Sequence, residues 1–152
     1  MITYSSAKLS DVKQMQELVL PEVKTGKILF GSDDEISTNI RSYTLAKEKD
    51  TLVGFVALHI YSPDLAEVRS LIVSESTRGQ GVGAKLVRYT LKEAEELGIK
   101  KVFSLTYEQR FFERLSFKEI PKQSLPEHKI WADCVKCKHF PICDEIALII
   151  EL

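Results

Sequence analysis

The sequence predicts a mixed α/β (α+β) fold: a mostly antiparallel central sheet flanked by helices. Three observations carry that expectation. Two strand-like segments, Tyr43 to Lys47 and Leu52 to Tyr61, are separated by the polar stretch Glu48-Lys49-Asp50-Thr51 and read as an antiparallel pair. An apolar strand, Leu65 to Val73, then runs through a glycine-bearing loop into a helix-like stretch, Val82 to Leu97, and a further strand, Lys101 to Thr106. The chain ends on the apolar run Glu145 to Leu152, a closing strand. One strand–helix–strand unit beside antiparallel strands is not the pattern of a doubly wound sheet.

The remaining elements follow in order. Ile2 to Lys8 reads as a first strand. Ser10 is a candidate helix cap, followed by Val12, Met15, Leu18 and Val19 at helical spacing, with Pro21 and Gly26 punctuating the end. Asp33-Asp34-Glu35 suits the positive end of a second helix, whose buried stripe would be Ile36 and Ile40. Ser62-Pro63-Asp64 turns the chain into Leu65, and Gly98 suits a left-handed cap closing the helix from Val82. Glu108 to Leu115 reads as a short helix. From Pro121 the texture changes to prolines, charges and cysteines, but with no linker or repeat in sight residues 1–152 are expected to be one domain. Its cysteine-containing segment, 126–145, precedes the last strand.

Composition narrows the function. With 152 residues, 44% hydrophobic and 28% charged, the chain can bury a proper core. A net charge of -1, from 21 basic and 22 acidic residues, argues against a general nucleic-acid binder. The longest apolar candidate for a membrane span, Leu52 to Tyr61, is interrupted by Gly54 and His59, so no membrane partner is expected. Met1-Ile2-Thr3-Tyr4 lacks the charged and apolar regions of a signal peptide. Three cysteines within ten positions do not make a secreted disulfide framework, and a reducing cytoplasm is the expected compartment.

The run Arg78-Gly79-Gln80-Gly81-Val82-Gly83 carries the chemistry. Glycines at a strand–helix junction let backbone approach a ligand closely. The first helical turn leaves N–H groups without intrahelical partners, at the positive end of the dipole, so phosphate is the natural ligand. Gly79-x-Gly81-x-x-Ala84 also fits a dinucleotide fingerprint, but the parallel framework that fingerprint needs is missing. A Walker-type loop is excluded, because no Gly-Lys-Ser/Thr closes the run.

Arg78-x-x-Gly81-x-Gly83 after a strand ending Leu71-Ile72-Val73 resembles the acyl-CoA loop of the GNAT acetyltransferase superfamily, and the order of elements matches that fold. The resemblance implies that Leu71, Ile72 and Val73 hold the pantetheine arm of acetyl-CoA. It also implies that Arg78, Gly79, Gln80, Gly81, Val82, Gly83 and Ala84 cradle its pyrophosphate. A narrower likeness runs through Ala66-Glu67-Val68-Arg69-Ser70-Leu71-Ile72-Val73, Leu105-Thr106-Tyr107 and Phe111-Phe112-Glu113-Arg114-Leu115-Ser116-Phe117. It extends to Cys134-x-x-Cys137 and Cys143, and is similar to short, single-domain bacterial N-acetylglutamate synthases. That implies direct transfer of acetyl from acetyl-CoA to the α-amino group of L-glutamate in a ternary complex, in arginine biosynthesis. Three positions depart from the usual pattern. Phe112 stands where many members have a tyrosine general acid, Ser116 replaces a glycine, and the basic residue usual near Gly31 is missing. Other amines in the same fold (a protein N-terminus, a lysine, a polyamine) and a non-catalytic CoA-binding sensor are the alternatives. The expected partners are acetyl-CoA and a small-molecule amine, with a homodimer left open.

Acetyl transfer to an amine needs a base, a stabilised thioester oxygen and a route for the thiolate. Glu67 is the candidate base, on the strand that leads to the loop and also favoured by the likeness. Period two puts Glu67, Arg69, Leu71 and Val73 on one face. Arg69 suits a substrate carboxylate, or else pairs with Glu67; Lys27 and Arg41 are weaker candidates for the acceptor wall. A backbone N–H near Ile72 or Val73 can face the thioester oxygen, and Tyr107 or water protonates the thiolate. His59 and Tyr61 read as core or groove-wall residues. Cys134, Cys137 and Cys143, with His139, have the spacing of a zinc site, and packed thiols are the other reading.

Overall fold

The computed structural model describes residues 1–24, 31–125 and 145–152. The described residues form one seven-stranded sheet. In chain order the elements are β1 (Ile2–Ser6), α1 (Val12–Lys24), α2 (Asp33–Thr38), β2 (Tyr43–Glu48), β3 (Thr51–Ser62), β4 (Leu65–Val73), α3 (Val82–Leu97), β5 (Lys101–Thr106), α4 (Gln109–Arg114), β6 (Lys118–Ile120) and β7 (Ile146–Glu151). The strand order is β1-β2-β3-β4-β5-β7-β6, antiparallel throughout except for the parallel pair β4–β5. That parallel pair is joined by the crossover helix α3, as a parallel connection requires. The mixed, mostly antiparallel sheet expected from the sequence is the fold observed. No helix among the described residues is long and apolar enough to cross a membrane.

Both faces of the sheet are covered. On one, Leu86, Val87 and Ala94 of α3 pack on Val56, Leu58 and Val68. On the other, Met15 and Val19 of α1 and Ile36 of α2 pack on Leu45, Phe55, Ala57 and Ile72. Alternation along β3 divides its side chains between the two layers, Val56 and Leu58 to one and Phe55 and Ala57 to the other.

Several local expectations are corrected by the geometry. Helix α1 starts at Val12 after a 3-10 turn, Leu9–Asp11, and Asp11 rather than Ser10 organises that entry. The Lys8 N–H donates to Asp11 Oδ2 at 2.8 Å and Lys47 Nζ donates to Oδ1 at 2.7 Å, which ties the β1–α1 connection to β2. Pro21 does not end α1, which runs on to Lys24; a proline removes one N–H, but its own φ is already helical. Helix α2 stops at Thr38, so Ile40 packs from a following 3-10 turn. Ser32 caps α2, accepting from the Glu35 N–H at 3.3 Å. Strand β6 was not expected, since Lys118-Glu119-Ile120 is too short and too polar to show a period.

Two helices end in the same motif. In α3 the Gly98 N–H donates to the Glu95 carbonyl and the Ile99 N–H to the Ala94 carbonyl. In α4 the Ser116 N–H donates to Glu113 and the Phe117 N–H to Phe112, at 3.0 and 3.1 Å. The Phe112 and Phe117 rings meet edge to face at 5.1 Å, the apolar contact that accompanies such a cap. Ser116 therefore sits at φ 75, a conformation that suits glycine and costs a residue with a Cβ.

Two stability predictions follow from these contacts. Ser116→Gly should stabilise the fold by up to about 1 kcal/mol, raising Tm by about 2–4 °C in a thermal scan. For Asp11, burial works to raise the carboxyl, but the Lys47 ammonium and the Lys8 N–H prevail and hold it below its ordinary value. Its contribution is present above the unfolded value of about 3.9 and is lost as pH falls through the lowered folded one. Asp11→Ala should cost about 2 kcal/mol in urea titrations at pH 7, and the gap from the parent should narrow below about pH 4.

Candidate active site

The site begins where two strands part. β4 and β5 pair at only three positions, Leu65 with Lys101, Ala66 with Val102 and Glu67 with Phe103. Beyond them β5 follows β7, which it pairs along its whole length, while β4 follows β3. A bulge turns β4 away: Ala57 pairs with Arg69 and Phe55 with Ile72, so Ser70 and Leu71 together face Val56, and Ser70 stands at φ 57. Between the parted strands lies a cavity of about 930 Å³, walled by residues 68–73 of β4 and by Ser104, Leu105 and Thr106 of β5. Alternate N–H and C=O groups of β4 beyond Glu67 thus face the cleft rather than β5.

The bulge also corrects the facing of β4. Side chains alternate up to Arg69, but the extra residue shifts the alternation by one. Glu67, Arg69 and Ile72 lie on the face of Phe55, Ala57 and His59, with which they pair or align, while Val68, Leu71 and Val73 pack on the α3 side. Glu67 and Arg69 thus share a face, as the spacing suggests, but Leu71 and Val73 lie on the other.

The floor of the cleft is the start of α3. Gly79 and Gly81 adopt φ 84 and φ 78, and a Cβ built on either would point into open space, so the bare backbone faces outward. Among the described residues no side chain caps α3, and its first turn holds no acid. Its leading N–H groups are thus open to an anion. Arg78 folds back over the strand end, with Nε 3.4 Å from the Val73 carbonyl and a guanidinium nitrogen 4.0 Å from Glu75. A diphosphate fits this cradle, since the donors and positive charge it needs are present and nothing acidic opposes it in the helix's first turn.

Most of the residues expected at the donor site line this cavity: Leu71, Ile72, Val73, Arg78, Gly79, Gly81, Val82, Gly83 and Ala84, together with Arg69. Gln80 is exposed on the same loop but is not part of the wall. Tyr107 and Phe112 also line it; Phe112 is buried between Phe111 and Phe117. Two arginines to which the sequence assigns no role, Arg88 of α3 and Arg114 of α4, both reach the cavity. Helical spacing could have found them. Arg88 is four residues after Ala84 and Arg114 three after Phe111, so each shares a face with a wall residue.

Glu67 sits at the vertex rather than in the cavity wall, only 2% exposed. The Tyr61 hydroxyl donates to Glu67 Oε1 at 2.9 Å. Tyr61 is therefore more than groove wall: its ring stacks on Phe103 at 5.7 Å and meets the His59 ring edge-on at 4.7 Å. On the same face Tyr43 is buried beside Arg69. Burial pushes its phenol above the ordinary value, with the Arg69 guanidinium acting against that shift and the Glu35 carboxylate adding to it. Among the described residues no group of three metal-ligating side chains is assembled. Cys134, Cys137 and Cys143, with their zinc reading, and Lys27 lie outside the described residues.

A glycine-rich helix start beneath two parting parallel strands can hold the phosphates of a long donor and admit its arm between the strands. Residues 14–117 match the acetyltransferase (GNAT) family. The chain belongs to that family. It is an acetyl-CoA-dependent GNAT N-acetyltransferase. It is 36% identical to an uncharacterized N-acetyltransferase of Chlorobaculum tepidum, over 95% of this chain and 92% of that one. It is 34% identical to an amino-acid acetyltransferase of Mycobacterium tuberculosis, over 75% of this chain and 67% of that one. The N-acetylglutamate synthase of Neisseria gonorrhoeae, solved with coenzyme A and N-acetyl-glutamate, superposes with a TM-score of 0.88 at 21% identity, and so shows the shared GNAT fold. All of this chain is covered there, but only 35% of that one.

Proposed function

We propose that this GNAT enzyme acetylates the α-amino group of a small amino acid, with L-glutamate as the acceptor, in the cytoplasm and as the first step of arginine biosynthesis. The observation that carries the reading is the position of Glu67, a buried carboxylate at the point where β4 and β5 part, on the same face as Arg69. The amino-acid acceptor is supported by the Mycobacterium tuberculosis relative, an amino-acid acetyltransferase. Glutamate is supported by the fold shared with a synthase that binds N-acetyl-glutamate.

In this reading Arg78 and the open N–H groups of the α3 start hold the diphosphate, and Arg88 and Arg114 add positive charge around the cavity. The edge of β4 beyond Glu67 hydrogen-bonds the pantetheine arm and directs it to the vertex. Acetyl-CoA supplies an activated acetyl group, and a C–N bond replaces the C–S bond. The ammonium sheds two protons in the process, of which one ends on the CoA thiol and one in solvent. Glu67 takes a proton from the ammonium, directly or through water, which frees the nitrogen lone pair for attack. A β4 backbone N–H near Ile72 or Val73 faces the charge that develops on the thioester oxygen. Tyr107, 42% exposed at the cavity, or water returns a proton to the sulfur. Arg69 holds a carboxylate of the acceptor as a bidentate pair.

Release of CoA is the readout for three tests. With acetyl-CoA and a panel of amino acids, L-glutamate should give the highest kcat/KM; turnover with lysine or a polyamine but with no α-amino acid would sink the acceptor assignment. Glu67→Gln should lower kcat by about 10²–10⁴-fold with little change in the KM for acetyl-CoA. Arg69→Lys should raise the KM for glutamate about tenfold or more while sparing acetyl-CoA, whereas Arg88→Ala should do the reverse.

A further inference from the structure

We propose that Tyr61 is a positioning residue, which holds the Glu67 carboxylate in the orientation that acetyl transfer requires. The inference rests on the reading of Glu67 as the base. A buried carboxylate on a single strand has two problems. Its terminal torsion is soft, so the oxygens are not oriented by rotamer preference alone. Its lone pairs must also be satisfied away from bulk water. Tyr61 contributes to both. The Tyr61 hydroxyl donates to Oε1 at 2.9 Å, and the ring that carries it is fixed on two sides.

One of those sides is Phe103, stacked against Tyr61 with ring planes 29° apart and centroids 5.7 Å apart. Phe103 is fully buried and is the β5 residue that pairs with Glu67, at the last rung before the strands part. The other side is His59, edge-on to Tyr61 and the β3 residue that pairs with Glu67. Both cross-strand neighbours of the carboxylate thus brace the phenol that binds it. Tyr61 itself stands at the irregular end of the β3–β4 ladder. Ile60 pairs with Ala66 and Ser62 with Leu65, so Tyr61 falls between two rungs of the ladder. That offset lets the hydroxyl reach back two rungs to Glu67. Tyr61 also packs against the buried cluster of Phe103, Leu125 and Ala147, so the hydroxyl is carried by a ring set in an apolar surround.

Tyr61→Phe tests this, because it keeps the ring and its stacking while removing only the donor. The melting temperature should fall by a few degrees, because a buried carboxylate loses a donor, while well below the melt the KM for acetyl-CoA should stay at the parent value and kcat should fall about tenfold, the effect of misorienting a base. The decisive readout is the double variant. In a Glu67→Gln background, Tyr61→Phe should cost less than about twofold more, because the two groups act as one unit. If Tyr61→Phe leaves kcat unchanged, costs the same factor in both backgrounds, or acts by raising the KM for acetyl-CoA, the positioning role is overturned and the base assignment stands. If Glu67→Gln alone leaves kcat unchanged, the base assignment falls and the positioning role falls with it.

Discussion

Everything at this site depends on a parallel pairing that stops after three rungs. Two adjacent strands of a sheet normally stay together, since each backbone group left without a partner must find another. Here β5 satisfies its far edge on β7 and β4 satisfies its far edge on β3, so the divergence costs only the groups facing the gap. Those groups are the ones an extended ligand can use as if it were a strand. The gap is opened by the bulge in β4, whose one surplus residue bends the strand and exchanges its faces three to four residues beyond the vertex at Glu67. A single backbone irregularity thus separates the two halves of a bisubstrate site. The proposed donor half faces α3, and the proposed acceptor half faces α1 and α2.

The two halves use electrostatics differently. The proposed donor half offers backbone donors and exposed guanidinium groups, suited to a ligand whose phosphates stay partly in water. The proposed acceptor face is drier. Glu67 and Tyr43 are buried there, Arg69 is partly so, and each charge or phenol acts on its neighbours with little screening, as the opposing influences of Arg69 and Glu35 on Tyr43 illustrate. A polar group in such a place must have its hydrogen-bond partners supplied by the fold, and Tyr61 supplies one for Glu67.

The sequence was most legible where a residue type has one strong physical reason to be present. The glycine-bearing strand–helix junction, the helix from Val82 and its stop at Gly98, and the antiparallel-then-crossover order are all legible, because glycine and period carry local signals. The sheet bulge was not legible. Nothing in Arg69-Ser70-Leu71 announces a positive φ at serine, and without it the period-two rule put Leu71 and Val73 on the wrong face. Tyr61 was undervalued for a related reason, since its bond to Glu67 depends on an irregular register that only the folded hairpin defines. Ser116 stood out in the sequence as a replacement for glycine, and the helix end shows why that position asks for one.

Strand β7 has a consequence for how the cleft comes into being. It is the last described element in chain order, yet it lies inside the sheet, between β5 and β6, both made before it. During synthesis β3 and β4 can pair as a local hairpin soon after they emerge, whereas the far edge of β5 must wait some forty residues for its partner. Closing such a loop is entropically slow, and non-local strand pairing is the slow kind of contact to make. One wall of the cleft is thus available early, and the other becomes fixed only when the end of this sequence has threaded home. Until then the growing chain carries a half-built cleft with an open strand edge, the state in which it is most exposed to mispairing.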